Sequence, residues 1–145
     1  MPDYSKILDD IASGALSTSS ISSAAATTLD IPELLNWQRG QVRAKWQVNA
    51  DYLNSRGALF GGYYGVLADM VLAFSAMTVL EDNEHYTTQD LQLSFFKPVF
   101  SGTVYFTAQV VTRTRSRVYC DCRFLDEQGA VLALATAAQH IAVIE

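Results

Sequence analysis

The stretch FGGYYGVLADMVLAFSAMTVL, residues 60–80, decides the fold of this chain. Its large apolar side chains recur at helical spacing, which predicts a helix over residues 63–80. These side chains are Tyr63, Leu67, Met70, Val71, Phe74 and Met77. Asp69 is the only formal charge in the stretch. A helix with so little polar surface has to be covered on most of its sides, so the rest of the chain must supply that cover.

Strand-like segments lie on both sides of this helix. Residues 41–49 alternate polar and apolar side chains, and further strands are predicted at residues 85–96, 103–113, 117–125 and 130–143, separated by short turns. In the segment 117–125, we expect Val118, Cys120, Cys122 and Phe124 to face inward. Consecutive strands with short turns predict an antiparallel meander. The whole pattern predicts an α+β fold, in which a strongly curved antiparallel sheet wraps around one long central helix.

The N-terminal region, residues 1–37, is predicted to form an arm in front of a domain that spans residues 38–145. Residues 3–11 have the apolar spacing of a short amphipathic helix. Residues 13–28 are rich in Ser, Thr and Ala, which indicates a linker or an arm laid on the surface. Residues 31–35 are expected to form a helical turn, because Pro32 is well suited to a first helical position.

The composition excludes several classes of protein. A chain of 145 residues, 50% of them hydrophobic, is long enough for one domain with a sizeable core. Its net charge of -5 argues against nucleic acid as a partner, because a nucleic-acid binder needs a basic face. The N-terminus lacks the features of a secretory signal and no membrane span is predicted, so we expect a cytoplasmic protein without a membrane partner. The high apolar share suggests a surface that faces another subunit or a greasy ligand.

The two cysteines, Cys120 and Cys122, are separated by one residue. In a strand their side chains point to the same face and lie too far apart for a relaxed disulfide. We interpret them as small core residues, and we expect no metal site, because a lone pair of cysteines without histidine partners is weak evidence for one.

Asp69 and the glycine pair before the helix are the candidate functional residues. Small side chains such as Gly65 and Ala73 surround Asp69, although an acid facing solvent or paired with an arginine is about as probable as a functional one. Gly61 and Gly62 stand where free backbone N–H groups receive a carbonyl oxygen or an oxyanion, but a tight turn alone would also explain them. Gly61 and Asp69 are about 12 Å apart along a helix, too far to serve one small carbonyl unless two helices lie side by side in a symmetric dimer.

Four motifs together resemble the hotdog-fold acyl-CoA thioesterases of the phenylacetate-pathway (PaaI-like) type. They are the segment NSRGALFGG at residues 54–62, Asp69, the segment TTQDLQLSFFKP at residues 87–98 and the segment DEQGAVLA at residues 126–133. The resemblance covers roughly residues 42–143. It implies the hotdog fold, hydrolysis of acyl-CoA thioesters, and no cofactor apart from coenzyme A as part of the substrate. It also implies a homodimer joined through the sheet edges, usually assembled into a homotetramer, with active sites at the dimer interface.

The resemblance also implies roles for individual residues. Gly61 would donate its backbone N–H to the thioester carbonyl, and Asn54 of the same subunit would help to place the substrate or the water. Asp69 of the facing subunit would act as general base or as nucleophile. Thr88 falls where the family often has a hydroxyl that orients the attacking water.

Further residues are expected to contact the substrate. The family commonly has His-Gly-Gly where this chain has Phe60, Gly61 and Gly62, which suggests a changed or more apolar acyl pocket. Phe60, Gly62 and Tyr63 are expected to contact the substrate. Tyr64 and Phe74 could line the pocket with Tyr63, although aromatic residues on a buried helix are more often part of the core. The substitution also argues against the related dehydratases, which need an active-site histidine. Neither His85 nor His140 obviously supplies one, and both are expected to be surface or structural residues.

The densest basic cluster is Arg113, Arg115 and Arg117, at the turn between two strands. It is interpreted either as a site for the phosphates of coenzyme A or as ordinary solvated turn charges. Two alternatives to the enzyme stay open. One is a non-catalytic protein that binds acyl-CoA or another hydrophobic ligand, and the other is a structural subunit of a larger assembly.

Overall fold

The computed structural model describes residues 2–16 and 24–145. Within them, six strands surround one long helix, and two shorter helices lie near the N-terminus. The helices are α1 (Tyr4–Ala12), α2 (Ala24–Thr28) and α3 (Gly61–Met77), and the strands are β1 (Glu33–Gln38), β2 (Gln41–Gln47), β3 (Glu84–Phe95), β4 (Thr103–Arg113), β5 (Arg117–Leu125) and β6 (Val131–Val143). None of the helices in these residues has the length and apolarity that a membrane crossing requires.

The strands form one antiparallel sheet in the order β1-β2-β4-β5-β6-β3. The sheet curves around α3, which packs against β2, β3, β4, β5 and β6. Leu67, Ala68, Val71 and Leu72 of α3 are fully buried against it. The predicted architecture, an α+β fold with an antiparallel sheet wrapped around one central helix, is therefore confirmed.

The predicted meander is wrong for β3. Strands β4, β5 and β6 follow one another across the sheet as expected, but β3 pairs with β6 at the far edge and not with β4. The connection between β3 and β4 passes the N-terminal end of α3, where the Leu59 N–H donates to the Val99 carbonyl at 2.7 Å. This connection carries the chain from one edge of the sheet to its middle, so β3 keeps one edge without a strand partner in the described chain.

Helix α3 begins two residues earlier and ends three residues earlier than the predicted range 63–80. It begins at Gly61 because Phe60 is still extended, with φ -60° and ψ 129°. It ends at Met77, and the following Thr78 hydroxyl donates to the Ser75 carbonyl at 2.6 Å and accepts the Gly40 N–H at 2.9 Å. The last carbonyls of the helix are thereby bonded, and the helix end is tied to the turn between β1 and β2.

Strand β3 contains a bulge that decides which of its side chains face α3. Thr88 and Asp90 pair with consecutive residues of β6, so Gln89 is an extra residue in β3. Thr88 is half-buried before the bulge, and Leu91 is half-buried after it, although regular alternation would place them on opposite faces. The Asp90 carboxylate accepts the Ala138 N–H at 3.1 Å, which satisfies a backbone group that the bulge leaves unpaired.

Strand β5 follows the predicted alternation. Val118, Cys120, Cys122 and Phe124 are buried, and both cysteine thiols are free. Burial raises the pKa of both thiols, that of Cys120 to about 11. The thiols therefore stay protonated near neutral pH and pack as small apolar side chains.

The predicted N-terminal helix is confirmed as α1. Asp3 caps it, because its carboxylate accepts the Lys6 N–H at 2.9 Å, and Tyr4, Leu8 and Ile11 are buried on the inner side. Part of the stretch predicted as a linker, residues 13–28, forms α2, while residues 17–23 lie outside the described residues.

The predicted helical turn at residues 31–35 is wrong, because the segment from Glu33 is strand β1. β1 pairs with β2 through a tight hairpin in which Gly40 has a positive φ of 82°, a conformation that favours glycine. Leu34 is buried against the core, so pairing and burial outweigh the local helix signal of Pro32. The sheet thus begins inside the segment that the sequence assigned to the arm.

An ion pair joins the start of β3 to the end of β4. The Arg113 guanidinium donates to the Glu84 carboxylate at 2.6 Å and also to the Val79 carbonyl. Burial alone would raise the pKa of Glu84, but the hydrogen bonds from Arg113 and from the Glu81 N–H outweigh burial and lower that pKa below its ordinary value. The pair therefore stabilises the fold above the ordinary carboxyl pKa, and this contribution disappears as the pH falls through the lowered one.

We expect Glu84→Gln to lower the free energy of unfolding by about 2 kcal/mol near neutral pH, because Arg113 then keeps its charge without a negative charge beside it. The hydrogen bond from the Tyr4 hydroxyl to the Glu84 backbone carbonyl is kept in this variant. Urea unfolding checks the expectation, with Glu81→Gln, an exposed neighbour, as the control. The difference from wild type should close at acid pH, and a gap that is constant with pH would contradict the assignment.

Candidate active site

Asp69 lies on the side of α3 that the sheet leaves uncovered. Its side chain is exposed in the single chain. The Thr88 hydroxyl donates to Asp69 Oδ1 at 2.9 Å, and the bulge at Gln89 is what allows Thr88 to face the helix. Within the described residues Asp69 Oδ2 has no hydrogen-bond donor. Asp69 is thus held through one oxygen and can accept a proton or a hydrogen bond through the other.

A cavity of about 710 Å³ lies next to this pair. Its sides are formed by α3, by β3 and by the N-terminal arm, and Asp69 and Thr88 are part of its lining. Gly65 and Ala73 of α3 also line it, and their small side chains leave room along the helix. The stripe of small residues that the sequence shows around Asp69 therefore borders an actual space, which we call the Asp69 cavity.

A second cavity, of about 500 Å³, lies at the N-terminal end of α3 and contains Gly61 and Asn54 in its lining. The N–H groups of Gly61 and Gly62 make no hydrogen bond within residues 2–16 and 24–145. Asn54 Oδ1 accepts the N–H groups of Arg56 and Ala58 at 2.9 and 3.2 Å, which shapes the loop before the helix. The Asn54 amide nitrogen has no acceptor among the described residues, so it remains available as a donor.

The two halves of the predicted site lie in different cavities of one chain. Gly61 and Asn54 line the second cavity, whereas Asp69 and Thr88 line the Asp69 cavity. This separation agrees with the distance of about 12 Å that eight helical residues impose. A single chain therefore does not bring the carboxylate to the free N–H groups.

Three residues near Gly61 were expected to contact the substrate, namely Phe60, Gly62 and Tyr63. None of them lines either cavity. Phe60 is 58% exposed, and its ring covers Gly62, where a Cβ atom would lie 2.8 Å from the Phe60 ring. Tyr63 is buried, stacks on Tyr52 at 3.9 Å and donates its hydroxyl to the Asp30 carbonyl. Tyr63 is therefore a packing residue, contrary to the expectation.

Of the three aromatic residues considered for the acyl pocket, Tyr64 lines the second cavity and Phe74 lines the cavity beside Asp69, whereas Tyr63 lines neither. The Tyr64 ring meets Phe95 edge-on at 4.9 Å, and Phe95 also lines the second cavity. One helical position rotates a side chain by about 100°, so the choice between the two tyrosines depends on the exact orientation of α3 in the sheet.

The predicted arginine cluster does not lie at this site. Arg113 is engaged by Glu84 and Val79 at the C-terminal end of α3, while Arg115 and Arg117 are exposed in and beside the β4–β5 turn. Two basic residues outside the predicted arginine cluster, Arg56 and Lys97, line the second cavity. Arg56 lies inside the segment 54–62 and Lys97 inside the segment 87–98, and this position within a motif was the sequence signal that could have identified them.

The histidines are surface residues, as expected. His85 and His140 are exposed, on β3 and β6 respectively, and neither lines a cavity described above. Among residues 2–16 and 24–145, no three His, Cys, Asp or Glu side chains converge as they would around a metal ion.

The curved antiparallel sheet around a single helix is the hotdog fold. The chain matches the thioesterase superfamily over residues 56–133, which is more than half of its length and includes Gly61, Asp69 and Thr88. The chain therefore belongs to the thioesterase superfamily. Thioester hydrolysis is the general activity that this membership supports.

Solved structures with the same fold and a curated relative are similar to this chain. A thioesterase from Haemophilus influenzae has a TM-score of 0.79 and 18% identity, with 88% of each chain covered. A phenylacetic acid degradation-related protein from Ralstonia eutropha JMP134 has a TM-score of 0.78 and 24% identity, covering 96% of this chain and 99% of the other. A candidate esterase from Saccharolobus solfataricus is 23% identical over 113 residues, 78% of this chain and 79% of that protein.

Proposed function

We propose that the protein hydrolyses acyl-CoA thioesters at sites formed between two copies of the chain. The observation that carries the proposal is the Asp69–Thr88 pair, held at 2.9 Å on the wall of an apolar cavity in a thioesterase-superfamily fold. The phenylacetic acid degradation-related protein from Ralstonia eutropha supports the same subfamily.

The proposed dimer joins the two copies through their β3 edges. β3 has twelve residues and an edge without a strand partner in the single chain, which makes it suited to pairing with a second β3. Near its end, Phe95, Phe96 and Phe100 are each more than half exposed. A partner would cover this surface, and it would bring its own Gly61 to face Asp69, which resolves the separation of the two half-sites.

In the proposed reaction, the Gly61 N–H of one subunit donates to the thioester carbonyl oxygen. Asp69 of the other subunit takes a proton from a water molecule through Oδ2, while the Thr88 hydroxyl holds Oδ1. The hydroxide attacks the carbonyl carbon, and the tetrahedral oxyanion keeps the Gly61 hydrogen bond. The C–S bond then breaks, the free acid is released, and the thiolate of coenzyme A leaves and takes up the proton from Asp69.

The polar end of the substrate is proposed to lie along the second cavity. Arg56 and Lys97 supply positive charge there, close to Asn54 and Gly61, and suit the phosphates of coenzyme A. Lys97 is also 3.3 Å from Asp126, at an exposed position where such a pair is weak.

Two dimers that pack through the outer faces of their sheets would form the expected homotetramer, and Tyr105 and Tyr119 are exposed there.

Thiol release from a panel of acyl-CoA thioesters tests the proposal. We expect turnover of aromatic or medium-chain thioesters and much slower cleavage of the matching oxygen esters.

Phe60 provides no polar ring at the start of α3, which favours a second candidate, a protein that binds acyl-CoA without cleaving it. Tight binding of the panel with no thiol release would support that candidate and contradict hydrolysis.

A further inference from the structure

One side of the Asp69 cavity comes from outside the sheet and the central helix. α3 and β3 form two sides, next to Asp69. The remaining side is the N-terminal arm, from which Tyr4, Ile7, Leu29 and Ile31 line the space. The arm is therefore part of the same cavity as the proposed catalytic pair.

The arm is fastened near both ends of the central helix. The Tyr4 hydroxyl donates to the Glu84 carbonyl at 2.7 Å, at the start of β3, and Leu8 is fully buried in the core. The Asp30 carbonyl accepts the Tyr63 hydroxyl near the start of α3. The described parts of the arm, residues 2–16 and residues 24–31, are therefore each bonded to the rest of the domain beside the cavity.

The chemistry of the lining decides which part of a thioester fits there. Among the described residues that line the cavity, Asp69 is the only one with a charge, and Ile7, Leu29 and Ile31 of the arm are apolar. The phosphates of coenzyme A need cations, and this cavity has none in its described lining. An apolar acyl group matches the lining, and a volume of about 710 Å³ lies in the usual range for small-molecule sites.

We infer that the N-terminal arm limits the length of the acyl group, and that Ile7 and Leu29 are specificity-determining residues. This inference rests on the proposed thioesterase function. The thioester carbonyl lies beside Asp69, the acyl chain extends along the stripe of Gly65 and Ala73, and the arm closes the far side. A closed apolar wall discriminates between neighbouring chain lengths by about 10-fold or more per methylene.

Substitutions of Ile7 test the inference in both directions. Ile7 is half-buried and lines the cavity, so Ile7→Trp should fill space that the acyl chain uses, and Ile7→Ala should enlarge it. The measurement is kcat/KM for straight-chain acyl-CoA thioesters from butanoyl to dodecanoyl. We expect Ile7→Trp to lose about 10- to 100-fold on the longest good substrates and little on butanoyl-CoA, while Ile7→Ala moves the optimum to longer chains.

Ser5→Trp is the matched control, because it adds the same ring to an exposed position of α1 that does not line the cavity. Its chain-length profile should follow wild type. Profiles of both Ile7 variants that superimpose on wild type would overturn the inference while leaving the hydrolase intact. If Ile7→Trp lost activity equally on all chain lengths and also sedimented as a smaller assembly, the cavity would hold a second copy of the chain and not the acyl group. That result would also overturn the inference. A wild-type protein that cleaves no thioester would instead reject the proposed function.

Discussion

Replacement of Asp69 by Asn is expected to lower kcat for the best acyl-CoA thioester by about 10²–10⁴-fold, the usual contribution of a positioned general base. The amide keeps the shape of the side chain and still accepts the Thr88 hydrogen bond through its oxygen, but it cannot take a proton from water. Because Asp69 is exposed in the single chain, the substitution should leave the fold and the melting temperature close to wild type.

Steady-state kinetics and a control variant test this expectation. Thiol release gives kcat and KM separately, and we expect the loss in kcat while KM changes little, since the carboxylate acts on water and not on the acyl group. Asp90→Asn serves as the control for removing a negative charge nearby, because Asp90 accepts a backbone N–H in the bulge and lines neither cavity. An Asp69→Asn variant with wild-type turnover would remove Asp69 from the mechanism.

The sequence predicts well those elements whose signals are local. The apolar spacing in residues 60–80 predicts α3, and the alternation in residues 117–125 predicts both the bounds and the inward face of β5. The sequence also contains a signal for the bulge at Gln89, because the alternation of inward-facing and outward-facing side chains shifts by one residue between Thr88 and Leu91. Each of these features follows from the spacing of side chains within one segment, so it can be predicted without knowing the partners of that segment.

The remaining features depend on contacts between distant parts of the chain. β1 forms where a local helix signal stands, because β2 pairs with it and Leu34 is buried. Arg113 was interpreted either as a phosphate-binding residue or as a solvated turn charge, but Glu84, 29 positions earlier in the chain, pairs with it. Asp69 is exposed in the single chain, and the group that would face it has to come from a second chain. Propensity and spacing contain no information on such partners.

Replacement of Gly61 by Pro is expected to lower kcat by about 10²–10³-fold, as removal of one oxyanion donor does in other enzymes. Proline at the first helical position removes only an N–H that the helix does not use. The preceding Phe60 already has the extended conformation that a following proline requires, with φ -60° and ψ 129°. The change therefore removes the proposed donor and retains the helix start, which circular dichroism and thermal melting can check.

Gly61→Ala separates the loss of the donor from the addition of bulk. A Cβ atom at this position would lie 4.0 Å from the Phe95 ring, which is ordinary contact, and alanine retains the N–H. We expect this variant to lose far less activity than Gly61→Pro. Equal losses in the two variants would show that space at Gly61 matters and that its N–H does not.

Mixing the two inactive proteins tests whether each site takes Gly61 from one chain and Asp69 from the other. In a hybrid dimer of Gly61→Pro and Asp69→Asn chains, one site would combine the native Gly61 of the second chain with the native Asp69 of the first. After unfolding and refolding together in equal amounts, random pairing should restore about a quarter of wild-type turnover, because half of the dimers are hybrids and each has one intact site of two. If both groups acted within one chain, no mixture would regain activity, since every chain carries a defect.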